Sequence, residues 1–137
     1  MSMARYMLDT NTVSYIIKGQ PVGVRENLQR VAMEQVCISA ITEAELLLGL
    51  AQKPAATRLA EIVGQFLLRV EILPWDSPAA KAYAGFASAT FAQGKPLSAL
   101  DMLIASHAIA VGATLVTSDR SFYRLRHRPS LIDWTKR

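Results

Sequence analysis

Four carboxylates stand where a carboxylate is costly unless it has work to do. Asp9 closes the apolar run YML near the start of the chain. Asp119 follows the run ATLVT and Ser118. Glu45 sits in ITEAELLLGL among leucines, and Asp101 lies between Leu100 and Met102 in SALDMLIA. Each has a capping explanation. Asp9 can cap the helix that follows it, Asp119 can close an Asx turn, and Thr42-x-x-Glu45 and Ser98-x-x-Asp101 fit the capping box or its near relative. Glu43 has leucine neighbours just as Glu45 does, and periodicity does not choose between them. Should the four acids converge, they repel. Two carboxylates about 5 Å apart at an effective dielectric of about 20 oppose each other by roughly 3 kcal/mol, and a helix N-terminus typically relieves less than about 1 kcal/mol of that. Such a cluster holds protons or a hard cation. All-oxygen ligation, with no Cys or His partner, points to Mg2+ or Mn2+ rather than zinc.

The acids can meet only if the elements carry them to one place. The chain alternates strand and helix. RYMLD (5–9) reads as a strand, followed by a helix over 11–18 that Gly19, Pro21 and Gly23 stop. A second helix carries Val24, Leu28 and Val31 at helical spacing. VCIS (36–39) is a strand, 41–52 a helix ended by Lys53-Pro54, 55–69 another helix, and VEILP (70–74) a strand. The next helix covers 77–94, with Ser77 as N-cap, Pro78 at the first helical position and Gly94 past the end. A helix over 96–112 is closed by Gly112, ATLVT (113–117) is a strand, and LIDW (131–134) holds a last short one. This alternation implies an α/β fold with a parallel sheet. Its strand-to-helix turns share one edge, so Asp9 and Asp119 share it too. Glu45 lies near the start of the helix after VCIS. Asp101 is in the first turn of the helix leading to ATLVT, which is expected to enter at the opposite edge unless a bend intervenes.

Composition narrows the function classes. The 137 residues form one domain, 1–137, with 51% apolar and 19% charged residues, slightly more apolar than is usual for a soluble monomer and consistent with an oligomer interface. No apolar run is long enough to span a membrane, and Asp9 interrupts any signal-peptide core. A single cysteine, Cys37, fits a reducing cytoplasm. The formal charge is +4 and the pI about 9.5. Setting the four acids aside from the 11 acidic residues leaves 7 against 15 basic ones, a balance of +8. Arg120, Arg124, Arg126, Arg128, Lys136 and Arg137 face one carboxylate, Asp133, in the C-terminal stretch. An acidic pocket in a basic surface suits metal-assisted attack on a polyanion. His107, at helical spacing with Leu100, Leu103, Ile104 and Val111, reads as a core or interface histidine. Trp75 and Trp134 read as packing residues at domain edges.

The whole chain resembles the PIN-domain ribonucleases, specifically the VapC toxins of bacterial type II toxin–antitoxin (VapBC) pairs. The resemblance is carried by MLDTNTVSYIIKG (7–19), CISAITEAELLLGL (37–50), GKPLSALDMLIASHAIAVGATLVTSD (94–119) and the closing DW at 133–134. It selects Glu45 over Glu43 through S-x-[IV]-T-x-x-E-L-x-x-G. It implies a three-layer α/β/α fold around a parallel sheet of four or five strands, and a pocket where Asp9, Glu45, Asp101 and Asp119 hold Mg2+ or Mn2+. Asp119 is the most variable of these positions among relatives. Asn11 and Thr117 match positions that hydrogen-bond the ligand carboxylates. The resemblance further implies cleavage of RNA by a water that the cation activates, with Asp9 or Asp101 taking its proton, leaving a 3′-hydroxyl and a 5′-phosphate. A tRNA is the expected substrate, the anticodon loop of initiator tRNA foremost, with Arg120, Arg124, Arg126 and Arg128 as RNA contacts. The implied partners are a VapB-type antitoxin, which inserts a basic side chain into the pocket, and a second copy of the chain. Residues 24–33 and the 77–94 helix are candidate dimer surfaces.

Two other readings compete. LDTNTV is similar to the start of haloacid-dehalogenase phosphatases, in which Asp9 would be a phosphoryl-accepting nucleophile. That pattern wants a second acid where Asn11 stands, and a lysine at a strand end that is not seen. A catalytically silent RNA- or partner-binding module of the same fold is the other, and the presence of all four acids argues against it.

Overall fold

A computed structural model describes residues 4–94 and 97–136. The expected helix start at Pro96 and the terminal Arg137 lie outside them. The elements run β1 (Tyr6–Leu8), α1 (Thr10–Lys18), α2 (Val22–Gln29), a short 3-10 turn (Met33–Gln35), β2 (Val36–Ser39), α3 (Ala40–Ala51), α4 (Thr57–Arg69), β3 (Glu71–Leu73), α5 (Ser77–Gln93), α6 (Ala99–Val111), β4 (Thr114–Val116), α7 (Arg120–Tyr123) and β5 (Leu131–Ile132). The strands form one parallel sheet in the order β3-β2-β1-β4-β5.

Successive residues of a strand face opposite sides of the sheet, and both sides here are apolar. Met7, Cys37 and Leu115 pack on one side with Phe86 and Ala87 of α5, Ile104 and Ala108 of α6, and Phe122 of α7. Leu8, Val36, Ile38 and Val116 pack on the other with Val13 and Ile16 of α1, Val24 of α2, Leu46 of α3 and Val63 of α4. Continuous burial of VCIS follows from this double cover. The result is the expected three-layer α/β/α architecture with five strands.

Two local expectations are corrected. The cap of α5 is Asp76, not Ser77: its Oδ1 accepts from Ala79 N at 3.4 Å, and Pro78 is the second helical residue, where a missing N–H is equally harmless. α2 ends at Gln29, so Val31 lies beyond it and packs from the following segment. The placement of α6, which the sequence left open on whether a bend intervenes, is settled by its C-terminal end. It ends at Val111, and Gly112 in the left-handed conformation (φ 68) turns the chain into β4 within three residues. A parallel β4 starts at the amino edge of the sheet, so α6 must run toward that edge. Its first turn therefore stands at the carboxyl edge, about 20 Å away along a 13-residue helix. The β3–α5–α6 connection supplies the bend, with Trp75 Nε1 donating to Leu103 O at 2.9 Å to tie it to α6.

Candidate active site

The strand order reverses direction at β1. The chain moves outward through β2 and β3, then returns to place β4 on the other side of β1. The carboxyl ends of β1 and β4 flank this switch point, where open α/β sheets bind ligands. Asp9 and Thr117 are the residues that follow these two ends.

Asp9 is only 5% exposed. It caps α1, Oδ1 accepting from Thr12 N at 2.8 Å. Its own N–H donates to Val116 O at 3.1 Å, and Thr12 Oγ1 donates to the same carbonyl at 3.0 Å, so the head of α1 is stitched to β4. Burial pushes the Asp9 carboxyl pKa above its ordinary value. Hydrogen bonds from the Thr117 hydroxyl and from Thr12 oppose that rise, and the Asp101 carboxylate adds to it. Thr117 is fully buried, and its Oγ1 accepts from Asp119 N at 3.1 Å. Tyr123 OH donates to Thr117 O at 2.9 Å. Thr117 thus couples Asp9 to the Asp119 turn.

Asp101 lies half-buried in the first turn of α6, where Ser98 Oγ accepts from Asp101 N at 3.2 Å. Burial raises its pKa, the Ser98 hydrogen bond lowers it, and the Asp119 carboxylate raises it further. Asp119 caps α7 through a 2.9 Å bond from Ser121 N. Asp9, Asp101 and Asp119 therefore act on one another through space, with Asp101 common to both interactions. Glu45 joins by a different route: Thr10 Oγ1 donates to Glu45 Oε1 at 2.6 Å and lies 3.4 Å from Thr42 Oγ1. Thr10 adjoins Asp9 in the chain, and Glu45, not Glu43, holds that bond. Among the described residues no three His, Cys, Asp or Glu side chains stand close enough together to grip one ion as they are placed. The donors around the switch point are all carboxylate and hydroxyl oxygens, a set whose chemistry fits a hard divalent cation.

Of the two supporting residues expected, Thr117 hydrogen-bonds Asp9, whereas Asn11 stands exposed on the first turn of α1. Thr10 was not singled out in the sequence, although it lies in the same L-D-T-N stretch; only the approach of α1 to α3 reveals its bond. Tyr123 was missed as well, because α7 is a single turn that no apolar periodicity announces. The arginines divide. Arg120 Nη2 donates to Asp133 Oδ2 at 2.6 Å, and its guanidinium lies 4.2 Å from the Tyr123 ring centre. Arg128 donates to Tyr123 O. Arg124 and Arg126 are exposed. His107 is a core residue: Nδ1 lies 2.8 Å from Ser39 Oγ, and burial lowers its pKa, with Asp76 opposing.

The PIN domain family profile matches residues 6–128. The tRNA(fMet)-specific endonuclease VapC of Salmonella typhimurium is 35% identical over 124 residues, covering 90% of this chain and 93% of that protein. Ribonuclease VapC2 of Rickettsia felis is 35% identical over 135 residues, covering 96% and 98%. Among solved structures, DNA-bound VapBC from Salmonella typhimurium superposes with a TM-score of 0.87 at 34% identity, covering 96% of this chain and 99% of that one. VapBC2 from Rickettsia felis bound to a promoter DNA fragment superposes at 0.84 with 32% identity, covering 94% and 98%. The chain belongs to the PIN domain family, in its group of VapC ribonucleases. That membership leaves no ground for the haloacid-dehalogenase reading of Asp9.

Proposed function

We propose that this protein is the toxin of a type II toxin–antitoxin pair, an endoribonuclease that requires a divalent cation. Its substrate is a tRNA, the anticodon loop of initiator tRNA foremost, and its partner is a VapB-type antitoxin. The observation that carries the reading is Asp9: buried at the switch point, raised in pKa, and in the field of Asp101, which in turn feels Asp119. A protein keeps such a repulsive arrangement where it is used. The names of the relatives, tRNA(fMet)-specific endonucleases and VapBC complexes, support the substrate and the partner.

Asp9, Glu45, Asp101 and Asp119 would hold Mg2+ or Mn2+, and the cation would supply neutralisation of the phosphate charge and acidification of the attacking water. The chain's own groups divide the remaining work. Asp9 has lone pairs committed to Thr12 and Thr117 and serves as a fixed negative charge. Asp101, with one opposing hydrogen bond and a raised pKa, is the carboxylate that accepts the proton. Thr10 orients Glu45. Exposed Arg124 and Arg126 hold neighbouring phosphates, while Arg120 and Arg128 reach RNA only beside the Tyr123 ring they share. Hydrolysis leaves a 3′-hydroxyl and a 5′-phosphate. No helix among the described residues is long and apolar enough to cross a membrane, and we place the protein in the cytoplasm with its RNA. Phe91, 61% exposed on α5, fits a homodimer through that helix.

The test is cleavage of total tRNA with Mg2+ or Mn2+ by the wild type and by Asp9→Asn, with the ends mapped. Wild type is expected to cut at one tRNA loop, and the variant to be slower by about 100-fold or more. Equal cutting by both would remove Asp9 from the site. No cutting of any RNA with either cation would remove the ribonuclease.

A further inference from the structure

Thr10, Ser14 and Lys18 recur every four residues along α1, and Glu45, Gly49 and Lys53 recur every four along α3 and past its end. Residues at that spacing share a helix face. Here the two rows line one cleft of about 350 Å³, within the size range of small-ligand pockets. Both helices begin at the carboxyl edge and run away from it. One end of the cleft therefore adjoins the candidate site, where Thr10 of one row donates to Glu45 of the other, and Lys18 and Lys53 line its far end. Eight residues of helix put Lys18 about 12 Å beyond Thr10. Ile17, Leu46 and Leu50 give it an apolar wall.

Gly49 lies mid-way along the α3 row. A glycine weakens a helix interior, and a Cβ added here would meet no atom within 4 Å, so no packing contact requires it. A side chain at this position would instead take up cleft space. Across the switch point a second cationic margin follows β4, with Arg124 and Arg126 exposed. α3 follows β2 on the opposite side of β1. The carboxylates thus lie between two positively charged margins. A linear polyanion is the occupant this charge pattern favours.

We infer that the α1/α3 cleft carries the RNA strand on one side of the scissile phosphate, with Lys18 and Lys53 as its phosphate contacts and Gly49 keeping its floor open. This deepens the ribonuclease reading and rests on it. The strand enters between the lysines, passes Gly49, crosses the four acids and leaves beside α7.

The experiment uses the full-length toxin freed of antitoxin and a fluorescein-labelled single-stranded RNA that the wild type cleaves. Affinity is read by anisotropy in an Asp9→Asn background, and kcat/KM with Asp9 intact. Lys18→Ala/Lys53→Ala is expected to weaken binding about tenfold and to lower the log–log salt slope by about 1.4, the value for two phosphate contacts on a single strand. Gly49→Leu is expected to lower kcat/KM while its Tm stays at or above that of the wild type. Arg58→Ala/Lys81→Ala, which removes two exposed charges outside the cleft, should leave both readouts unchanged. If the wild type cleaves but the lysine and glycine variants keep its affinity, salt slope and kcat/KM, this inference is overturned and the ribonuclease reading stands. If Gly49→Leu abolishes assembly with antitoxin while RNA affinity is unchanged, the cleft belongs to the antitoxin and the inference is likewise overturned.

Discussion

Asp9 shows how a single residue serves structure and chemistry in opposite ways. As a cap it satisfies Thr12 N; as a buried charge beside Asp101 it opposes folding. Its pKa and that of Asp101 are both raised above the ordinary 3.8, in each case mainly by burial. Both carboxyls thus bind a proton more tightly in the folded chain than in the unfolded one. The stability linked to them is complete below about pH 3.8 and is lost as pH rises through their folded values. Asn at position 9 keeps the cap and removes the charge. Asp9→Asn is therefore expected to raise Tm at pH 7 by about 4 °C, the scale of about 1 kcal/mol in a chain of this size. Thermal unfolding repeated toward pH 4 should show that gain shrinking, as the wild-type carboxyl takes up its own proton. A gain independent of pH would show that the Asp9 charge is not its source.

At the scale of elements, α6 matters most, because its first turn delivers Asp101 to the edge where β1 and β4 end. Ser98 both starts the helix and hydrogen-bonds the carboxylate it delivers. Ser98→Ala is expected to cost about 1 kcal/mol of stability. It also removes a bond that favours the charged form of Asp101, so the Asp101 pKa rises further. The acid limb of kcat/KM against pH should move to higher pH in Ser98→Ala, measured on RNA at fixed cation concentration. An unmoved limb would show that another group sets it. The sequence revealed α6 through its apolar positions and Gly112. Which edge it entered stayed open, because local periodicity gives a helix no direction relative to a sheet. Only the short link from Val111 to Thr114, joined to the parallel β1–β4 register, gives that direction.

For the molecule as a whole, the ends of the chain hold each other. Asn27 Nδ2 reaches the carbonyls of Gly23, Trp134 and Lys136 at 2.9, 3.0 and 2.9 Å. A Cβ on Gly23 would come within 2.8 Å of Thr135 O. Trp134 is buried against Tyr6 of β1, ring centres 5.6 Å apart. The Asp-Trp pair thus closes the side of the sheet that α1 and α2 cover. Gly23→Ala is expected to destabilise the protein by about 1–3 kcal/mol through overpacking against backbone. Gly49→Ala, with open space around it, should instead stabilise by up to about 1 kcal/mol. Urea unfolding of the two variants side by side reads the contrast, and equal midpoints would sink the clasp.

The sequence by itself determined the α/β alternation and the four acids worth following, since each depends on spacing within one element and on residue type. Its likeness to the PIN family chose Glu45 over its neighbour two positions earlier. Tertiary structure alone decided the rest. The bond from Thr10 to Glu45, the link from Tyr123 to Thr117 and the withdrawal of Arg120 onto Asp133 each join residues that local spacing does not pair. Hydrogen bonds and charges act over a few ångströms of space, and a linear pattern records no distance between segments that meet only when the sheet assembles.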